Sequence, residues 1–95
     1  MEIRVLQYFL AIARMESISR AADYLHITQP TLSRQIKELE DELGKTLFIR
    51  GSRKITLTDE GMYFRKRAEE IINLIEKTET EMAGSKDVLS GEIYI

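Results

Sequence analysis

The segment ITQPTLSRQIKELEDEL, residues 27–43, constrains the fold of this chain more than any other part of it. Its apolar residues lie four, three and four positions apart, which places them on one face of an α-helix. These residues are Leu32, Ile36, Leu39 and Leu43. Thr28 is a suitable N-cap, and Pro30 falls in the first turn, where the missing N–H costs little. The segment is therefore predicted to form a helix with a small polar tip, ending at Gly44.

Two further helices are predicted before this one. Ser19 is a suitable N-cap for a short helix from Arg20 to about Leu25, and residues 26–28 then form a tight turn. Residues 2–15 form the first helix and carry two apolar stripes, which predicts contact with two neighbouring elements, the C-terminal helix being one candidate. One stripe consists of Ile3, Leu6, Leu10 and Ala13, and the other of Val5, Phe9 and Ile12.

A small β-hairpin is predicted after the third helix. Two apolar runs rich in β-branched residues, 47–49 and 55–57, flank a short segment that contains Gly51. That segment carries the cations Arg50, Arg53 and Lys54. The hairpin is therefore expected to present a basic tip.

A long helix is predicted from residue 59 to about residue 83. Thr58 supplies a capping hydroxyl, and Asp59 and Glu60 place carboxylates at the positive end of the helix dipole. Inside this helix, a seam with 4-3-4-3-4 spacing resembles that of a coiled coil. The seam consists of Phe64, Ala68, Ile71, Ile75, Thr78 and Met82. Residues 1–57 offer too little apolar surface to cover such a helix, so the seam favours dimerisation, with an intramolecular core as the alternative.

The distribution of charge along the chain matters more than its net charge of −2. Residues 26–54 carry six basic and four acidic side chains, whereas residues 55–95 carry five basic and nine acidic ones. The small excess of positive charge thus lies on the polar helix and the hairpin, where it suggests a phosphate-binding face.

The residue types exclude several other classes of protein. There is no cysteine, which excludes disulfides and thiolate metal sites. His26, the only histidine, falls in the predicted turn, so no nucleophile has a neighbouring base; neither an enzyme, a metal site nor a cofactor site is predicted. No apolar run approaches the roughly 20 residues of a membrane span. A soluble, cytoplasmic protein without membrane contact is therefore expected.

A helix, a tight turn, a helix with a polar tip and a basic hairpin follow one another as in a winged helix-turn-helix. A recognition helix enters the major groove by its N-terminal end, which must offer hydrogen-bonding groups to bases and phosphates. The exposed face of the third helix is neutral to basic as far as Lys37 and acidic at Glu38 and Asp41. This asymmetry predicts that the N-terminal half of the helix faces DNA.

At these motifs the sequence resembles LysR-type transcriptional regulators, over residues 1–91. The matching segments are Ser19-Arg20-Ala21-Ala22, residues 25–36, Leu39-Glu40, Leu43-Gly44, residues 47–50 and residues 57–61, and they match without gaps. The resemblance implies a mainly α fold. Three helices and a small β-hairpin wing would form a winged helix-turn-helix, followed by a long dimerisation helix. Thr31, often alanine in the family, and Ile49, often acidic, depart from its pattern, and Thr31 is expected to shift the base preference.

The resemblance also implies how the chain is organised. The DNA-binding domain would span residues 1–58, with the helix-turn-helix at about 18–37 and the wing at about 46–57. Residues 59–87 would form the linker and dimerisation helix, and residues 88–95 would begin an effector-binding domain that lies beyond this chain. Implied partners are double-stranded operator DNA, a second copy of the chain bound through the linker helix, and a small-molecule effector on the further domain. A tetramer is an alternative assembly of the full-length protein.

The resemblance and the helical geometry together predict the DNA-binding residues. The candidates for contact with base edges are Gln29, Pro30, Ser33 and Arg34, because glutamine suits adenine, arginine suits guanine and proline can contact a thymine methyl group. Phosphate contacts are expected from Thr28, Thr31, Lys37, Arg50 and Lys54, and Arg53 is expected to reach an adjacent minor groove. Two alternatives remain: an ordinary solvated helix face, and a protein-interaction module, a winged helix on a coiled-coil stalk.

Overall fold

The structure, a computed structural model, describes residues 1–84 and consists of four helices and a two-stranded hairpin in that range. The elements in chain order are α1 (Ile3–Met15), α2 (Ile18–Leu25), α3 (Gln29–Leu43), β1 (Phe48–Arg50), β2 (Ile55–Leu57) and α4 (Asp59–Ala83). The predicted winged helix-turn-helix followed by a long helix is therefore confirmed. The segment 88–95 assigned to a further domain lies outside the described residues.

The core lies between the first three helices and the hairpin, and Phe9 is at its centre. Its ring packs against Phe48 of β1, with the ring centroids 5.0 Å apart, and edge-on against Phe64 of α4, with the centroids 4.9 Å apart. The largest side chains that are completely buried are Phe9, Ile12, Leu32, Ile36, Leu39 and Leu47. Three residues of the stripe predicted on α3 are thus in the core, and the fourth, Leu43, is half-buried at its edge.

The N-cap of α2 differs from the prediction. Ser17, and not Ser19, has the extended backbone of a cap, and its Oγ accepts a hydrogen bond of 3.1 Å from the N–H of Arg20. Ser19 becomes a helical residue whose Oγ lies 3.2 Å from that of Ser17. The earlier start makes Ile18 part of the helix, and its side chain packs against the core.

Three helices end at residues with left-handed backbone conformations. Gly44 ends α3 with φ of 67°, as its lack of a side chain predicts. His26 ends α2 with φ of 61°, and the N–H of Ile27 then donates to the carbonyl of Ala22, which forms the predicted tight turn. Glu16 ends α1 with φ of 56°, although it is not a glycine.

The hairpin, called the wing below, is antiparallel, with Phe48 opposite Leu57 and Arg50 opposite Ile55. Its base is fixed from two sides. The hydroxyl of Thr58 donates to the carbonyl of Thr46 at 2.7 Å and accepts from the N–H of Gly61 at 2.9 Å. On the other side, the carboxylate of Glu40 accepts from the N–H groups of Leu47 and Phe48 at 2.7 and 3.3 Å. The wing is therefore tied to both α3 and α4.

The long helix α4 begins as predicted, with Thr58 as its cap, and its two halves have different environments. In the first half, Phe64 packs against Phe9 and Ala68 is buried within the chain. In the second half, Ile71, Leu74 and Met82 have exposed fractions of 40%, 63% and 52%. The intramolecular core thus accounts for the first two residues of the seam, and the described chain leaves the rest of it largely uncovered. Within residues 1–84, no helix is long and apolar enough to cross a membrane.

Candidate nucleic-acid interface

The tip of α3 is organised by two threonines. Oγ1 of Thr28 accepts from the N–H of Thr31 at 3.3 Å and caps the helix. It also donates its proton to Oγ1 of Thr31 at 2.8 Å. Thr28, predicted to contact phosphate, is therefore occupied as the cap. Thr31 keeps its own hydroxyl proton for an external acceptor.

Pro30 and Arg34 lie on the side of α3 that faces away from the core, with Ser33 on the flank of this side and Gln29 at the start of the helix. Gln29, Pro30 and Arg34 are exposed, and Ser33 is half-buried beside them. Lys37 continues this exposed face by one turn, whereas Leu32 and Ile36 lie on the opposite side in the core. The first two turns of the helix therefore present amide, hydroxyl and guanidinium groups to the solvent on a surface without large apolar side chains.

Both cations of this face have a carboxylate partner on the same helix. Nη1 of Arg34 lies 3.6 Å from Oε2 of Glu38, and Nζ of Lys37 donates to Oδ1 of Asp41 at 3.1 Å. All four side chains are well exposed, and exposed ion pairs of this kind are worth only about 0.3–0.5 kcal/mol. A stronger partner such as a phosphate or a guanine edge can therefore replace either carboxylate at little cost.

The wing and the tip of α3 border a common cleft of about 360 Å³. The wing contributes residues 50–55, including Arg50, Arg53 and Lys54, which are all exposed. The opposite wall consists of Gln29 of α3 and residues 16–19 at the start of α2. The structure thus brings the predicted wing cations and one predicted base-contacting residue to a single cleft, although they lie more than 20 positions apart in the sequence.

Gly51 gives the wing its tight turn. Its N–H donates to the carbonyl of Lys54 at 3.0 Å, and a Cβ atom at this position would lie only 2.8 Å from that same oxygen. A side chain would therefore open the turn that brings Arg53 and Lys54 to the cleft.

Sequence reasoning missed residues 16–19 of the opposite wall as part of the site. Ser17 and Ser19 line the cleft, and Oε1 of Glu16 lies 3.7 Å from Nζ of Lys54. No local pattern signals this ion pair, because its two residues belong to segments that meet only in the folded chain. The two serines are typical of the start of a helix, so the sequence predicts a cap there but does not predict that they line a cleft.

The basic run at residues 65–67 lies on the solvent side of α4, away from this cleft. Nε of Arg67 donates to the hydroxyl of Tyr63 at 3.0 Å, and its Nη1 donates to Glu70 at 2.9 Å. The hydrogen bond with Tyr63, followed by that with Glu70, raises the pKa of Arg67 above its usual value. Arg67 is therefore held along its own helix.

The sequence also matches a family model described as bacterial regulatory helix-turn-helix protein, lysR family, over residues 3–62. Among curated proteins, it is similar to the HTH-type transcriptional regulator BsdA of Bacillus subtilis (strain 168). The two sequences are 47% identical over 96 residues, which cover 100% of this chain and 33% of BsdA. The chain thus spans about a third of the length of this relative.

Two solved structures of protein–DNA complexes have a similar fold. The BenM_DBD/catB site 1 DNA complex superposes with a TM-score of 0.77 at 43% identity, covering 97% of this chain and 99% of that one. The CbnR_DBD-DNA complex superposes with a TM-score of 0.85 at 36% identity, covering 90% of this chain and 99% of that one.

Proposed function

The chain belongs to the LysR family of bacterial helix-turn-helix regulators, and we propose that it binds double-stranded DNA sequence-specifically, as the DNA-binding part of a transcriptional regulator. One observation carries the proposal: the polar tip of α3 and the three cations of the wing border a single exposed cleft. The DNA complexes of BenM_DBD and CbnR_DBD, whose folds are similar, support it. Such a protein acts by binding rather than by catalysis, and it works in the cytoplasm with the DNA that it regulates.

In the proposed complex, α3 enters the major groove by its N-terminal end. Gln29, Ser33 and Arg34 then face the base edges, and the pyrrolidine ring of Pro30 is available for a thymine methyl group. Arg34 leaves Glu38 for a guanine, because a bidentate hydrogen-bonded contact is stronger than an exposed ion pair at 3.6 Å.

The phosphate contacts fix the position of α3 in the groove. Thr31 donates its hydroxyl proton, which Thr28 orients, and Lys37 exchanges Asp41 for a phosphate. On the wing, Arg50 and Lys54 line the cleft through which the DNA backbone would run. Arg53 would extend to the neighbouring minor groove.

We further propose that two copies pair through the distal half of α4, where the seam residues Ile71, Thr78 and Met82 are exposed and Ile75 is half-buried. Phe64 and Ala68, which the chain's own core already uses, would support the start of this interface. Two heads on one dimer favour a roughly palindromic site. In the longer protein, a small-molecule effector would bind outside these residues, and a tetramer is an alternative assembly.

A protein-interaction module is the second candidate function, and one surface favours it. An apolar groove of about 470 Å³ lies between the end of α3 and the start of α4, and its lining includes Leu43, Leu47, Tyr63 and Phe64. The groove lies outside the cleft of the wing, and only Lys45, Asp59 and Glu60 add charge to it. The groove lacks the cluster of cations that the cleft presents, and nothing in the described residues indicates which protein would fill it, so it is a weaker argument than the cleft.

The dependence of binding on salt separates the two functions. The affinity of the 95-residue chain for random and selected duplexes would be measured by fluorescence anisotropy between 50 and 200 mM salt. DNA binding predicts a linear fall of log affinity with log salt, with a slope of about −0.9 for each phosphate contacted. It also predicts enrichment of one sequence from a random pool. No retention of duplex DNA at low salt, or a flat salt dependence, would reject the proposal.

A further inference from the structure

Glu16 occupies a position that normally suits a glycine. It ends α1 with φ of 56°, a left-handed conformation in which a side chain is strained and glycine is not. Glu16 therefore has a side chain at a position where the left-handed backbone conformation disfavours one. Its contacts show what it does there.

The main chain and the side chain of Glu16 contact the wing separately. The carbonyl oxygen accepts a hydrogen bond of 3.1 Å from the N–H of Ile55, which joins β2 to the end of α1. The carboxylate lies 3.7 Å from Nζ of Lys54, beyond the range of a direct hydrogen bond. A substitution of the side chain can thus remove the ion pair while the backbone contact that positions the wing remains.

The ion pair lies in the cleft that the DNA backbone would enter. Among the described residues lining this cleft, Glu16 is the one carboxylate, and Arg50, Arg53 and Lys54 are the cations. The side chains of Lys54 and Glu16 are 60% and 48% exposed, so solvent reaches both and the pair is weak. A phosphate in the cleft would attract Lys54 and be repelled by Glu16.

We propose that Glu16 is a positioning residue that competes with the DNA backbone for Lys54, so that this cation contributes less to binding than an unpaired lysine would. The inference rests on the proposed DNA binding. Lys54 must leave Glu16 to contact a phosphate, and the freed carboxylate then offsets part of the charge that Lys54 brings to the DNA. Glu16 therefore lowers the sequence-independent part of the affinity and leaves the base contacts of α3 unchanged.

The test is a double-mutant cycle of Glu16→Gln and Lys54→Met in the 95-residue chain, with anisotropy measured on one duplex at several salt concentrations. Glu16→Gln is expected to tighten binding about two- to fivefold at low salt, the range of a weak surface pair. It is also expected to steepen the salt slope, by at most about 0.9, because no carboxylate then offsets the charge that Lys54 brings to a phosphate. In the Lys54→Met background, Glu16→Gln is expected to change neither quantity.

Two control variants isolate the carboxylate. Glu16→Gly removes it and also relieves the left-handed strain, and it is expected to match the salt slope of Glu16→Gln. Glu69→Gln makes the same change of charge on the exposed surface of the first half of α4, outside the cleft, and is expected to leave the slope unchanged. A shift of the slope by Glu69→Gln as large as that by Glu16→Gln would overturn the proposal, since net charge alone would then explain the effect.

The remaining outcomes are also distinguishable. Weaker binding of Glu16→Gln would show that the pair holds Lys54 ready for DNA, and an equal gain in the Lys54→Met background would show that the carboxylate acts directly on phosphate. Either result overturns the proposal while DNA binding stands. If the unsubstituted chain does not retain duplex DNA at low salt, the proposed function itself fails, and this inference fails with it.

Discussion

At the scale of single residues, the tip of α3 shows how a helix cap can orient a ligand contact. Thr28 uses its oxygen to accept from a backbone N–H and its proton to donate to Oγ1 of Thr31. The proton of the Thr31 hydroxyl must then point elsewhere, and in the proposed complex it points at a DNA oxygen. Thr28 thus fixes the start of the helix and also sets the direction in which the Thr31 hydroxyl can donate a hydrogen bond.

Arg34 is expected to carry one base preference. Arg34→Ala should weaken binding to a selected duplex by about 1–3 kcal/mol and relax the preference at one position, because a guanidinium makes a bidentate contact with guanine. The measurement is anisotropy on the selected duplex and on its single-base variants.

Lys37→Ala is the matched control for Arg34, since both cations pair with a carboxylate one turn along the same helix. A phosphate contact at Lys37 predicts similar weakening on every duplex and a salt slope reduced by about one. If Arg34→Ala also weakened all duplexes equally, Arg34 would be a phosphate contact and its assignment to a base would be wrong.

Single residues could be predicted from the sequence where their role is local. Thr28 and Gly44 follow from the chemistry of helix ends, and both are confirmed as caps. Ser17 and Ser19 are chemically identical, so residue chemistry alone does not distinguish the cap, which is Ser17. Glu40, whose carboxylate accepts from the wing, had no predicted role because its partners depend on how α3 meets the hairpin.

At the scale of elements, the wing is positioned by groups that belong to its neighbours. Glu40 of α3 and the hydroxyl of Thr58 hold its base, and the carbonyl of Glu16 holds β2. Gly61 completes the junction, because it is buried where the first turn of α4 meets the carbonyl of Leu47. The direction of the basic tip is therefore set by α1, α3 and α4 together.

Gly61→Ala is expected to destabilise this junction. A Cβ at this position would overlap the carbonyl oxygen of Leu47, and overpacking of this kind costs about 1–3 kcal/mol. Urea unfolding followed by circular dichroism would measure the loss. Gly84→Ala is the control, since the nearest atom to its Cβ would be the carbonyl oxygen of Thr80 at 3.8 Å. Equal stability of the two variants would contradict the close packing at Gly61.

The hairpin and all four helices could be predicted from periodicity and turn residues, whereas the division of α4 could not. The alternating 4-3 spacing of its seam continues unchanged from Phe64 to Met82. The first two seam residues nevertheless face the chain's own core, and the later ones do not. Periodicity shows that a helix has an apolar face. Which chain covers that face depends on where the globular part ends.

At the scale of the whole molecule, α4 joins the DNA-binding head to a surface that the head does not cover. Its 25 residues span about 38 Å, and its first half is fixed by Phe64 and Ala68 against the core. The second half therefore projects with a defined direction. If two such halves pair, the spacing of the two heads is set by rigid helices, and so is the spacing of the two half-sites that they contact.

The double substitution Ile71→Asp and Ile75→Asp is expected to yield monomers in sedimentation velocity, because two carboxylates would be buried without partners at the proposed interface. The head should remain folded, since Ile71 is already 40% exposed and Ile75 is half-buried within one chain. Ile49→Asp, on an exposed isoleucine of the wing, is the control and should sediment like the unsubstituted chain. The monomer should still bind a single half-site but lose the added affinity of a palindrome, because its second head is no longer tethered. A double variant that stays dimeric would show that the interface lies elsewhere, and the spacing of the heads would then not be set by the distal half of α4.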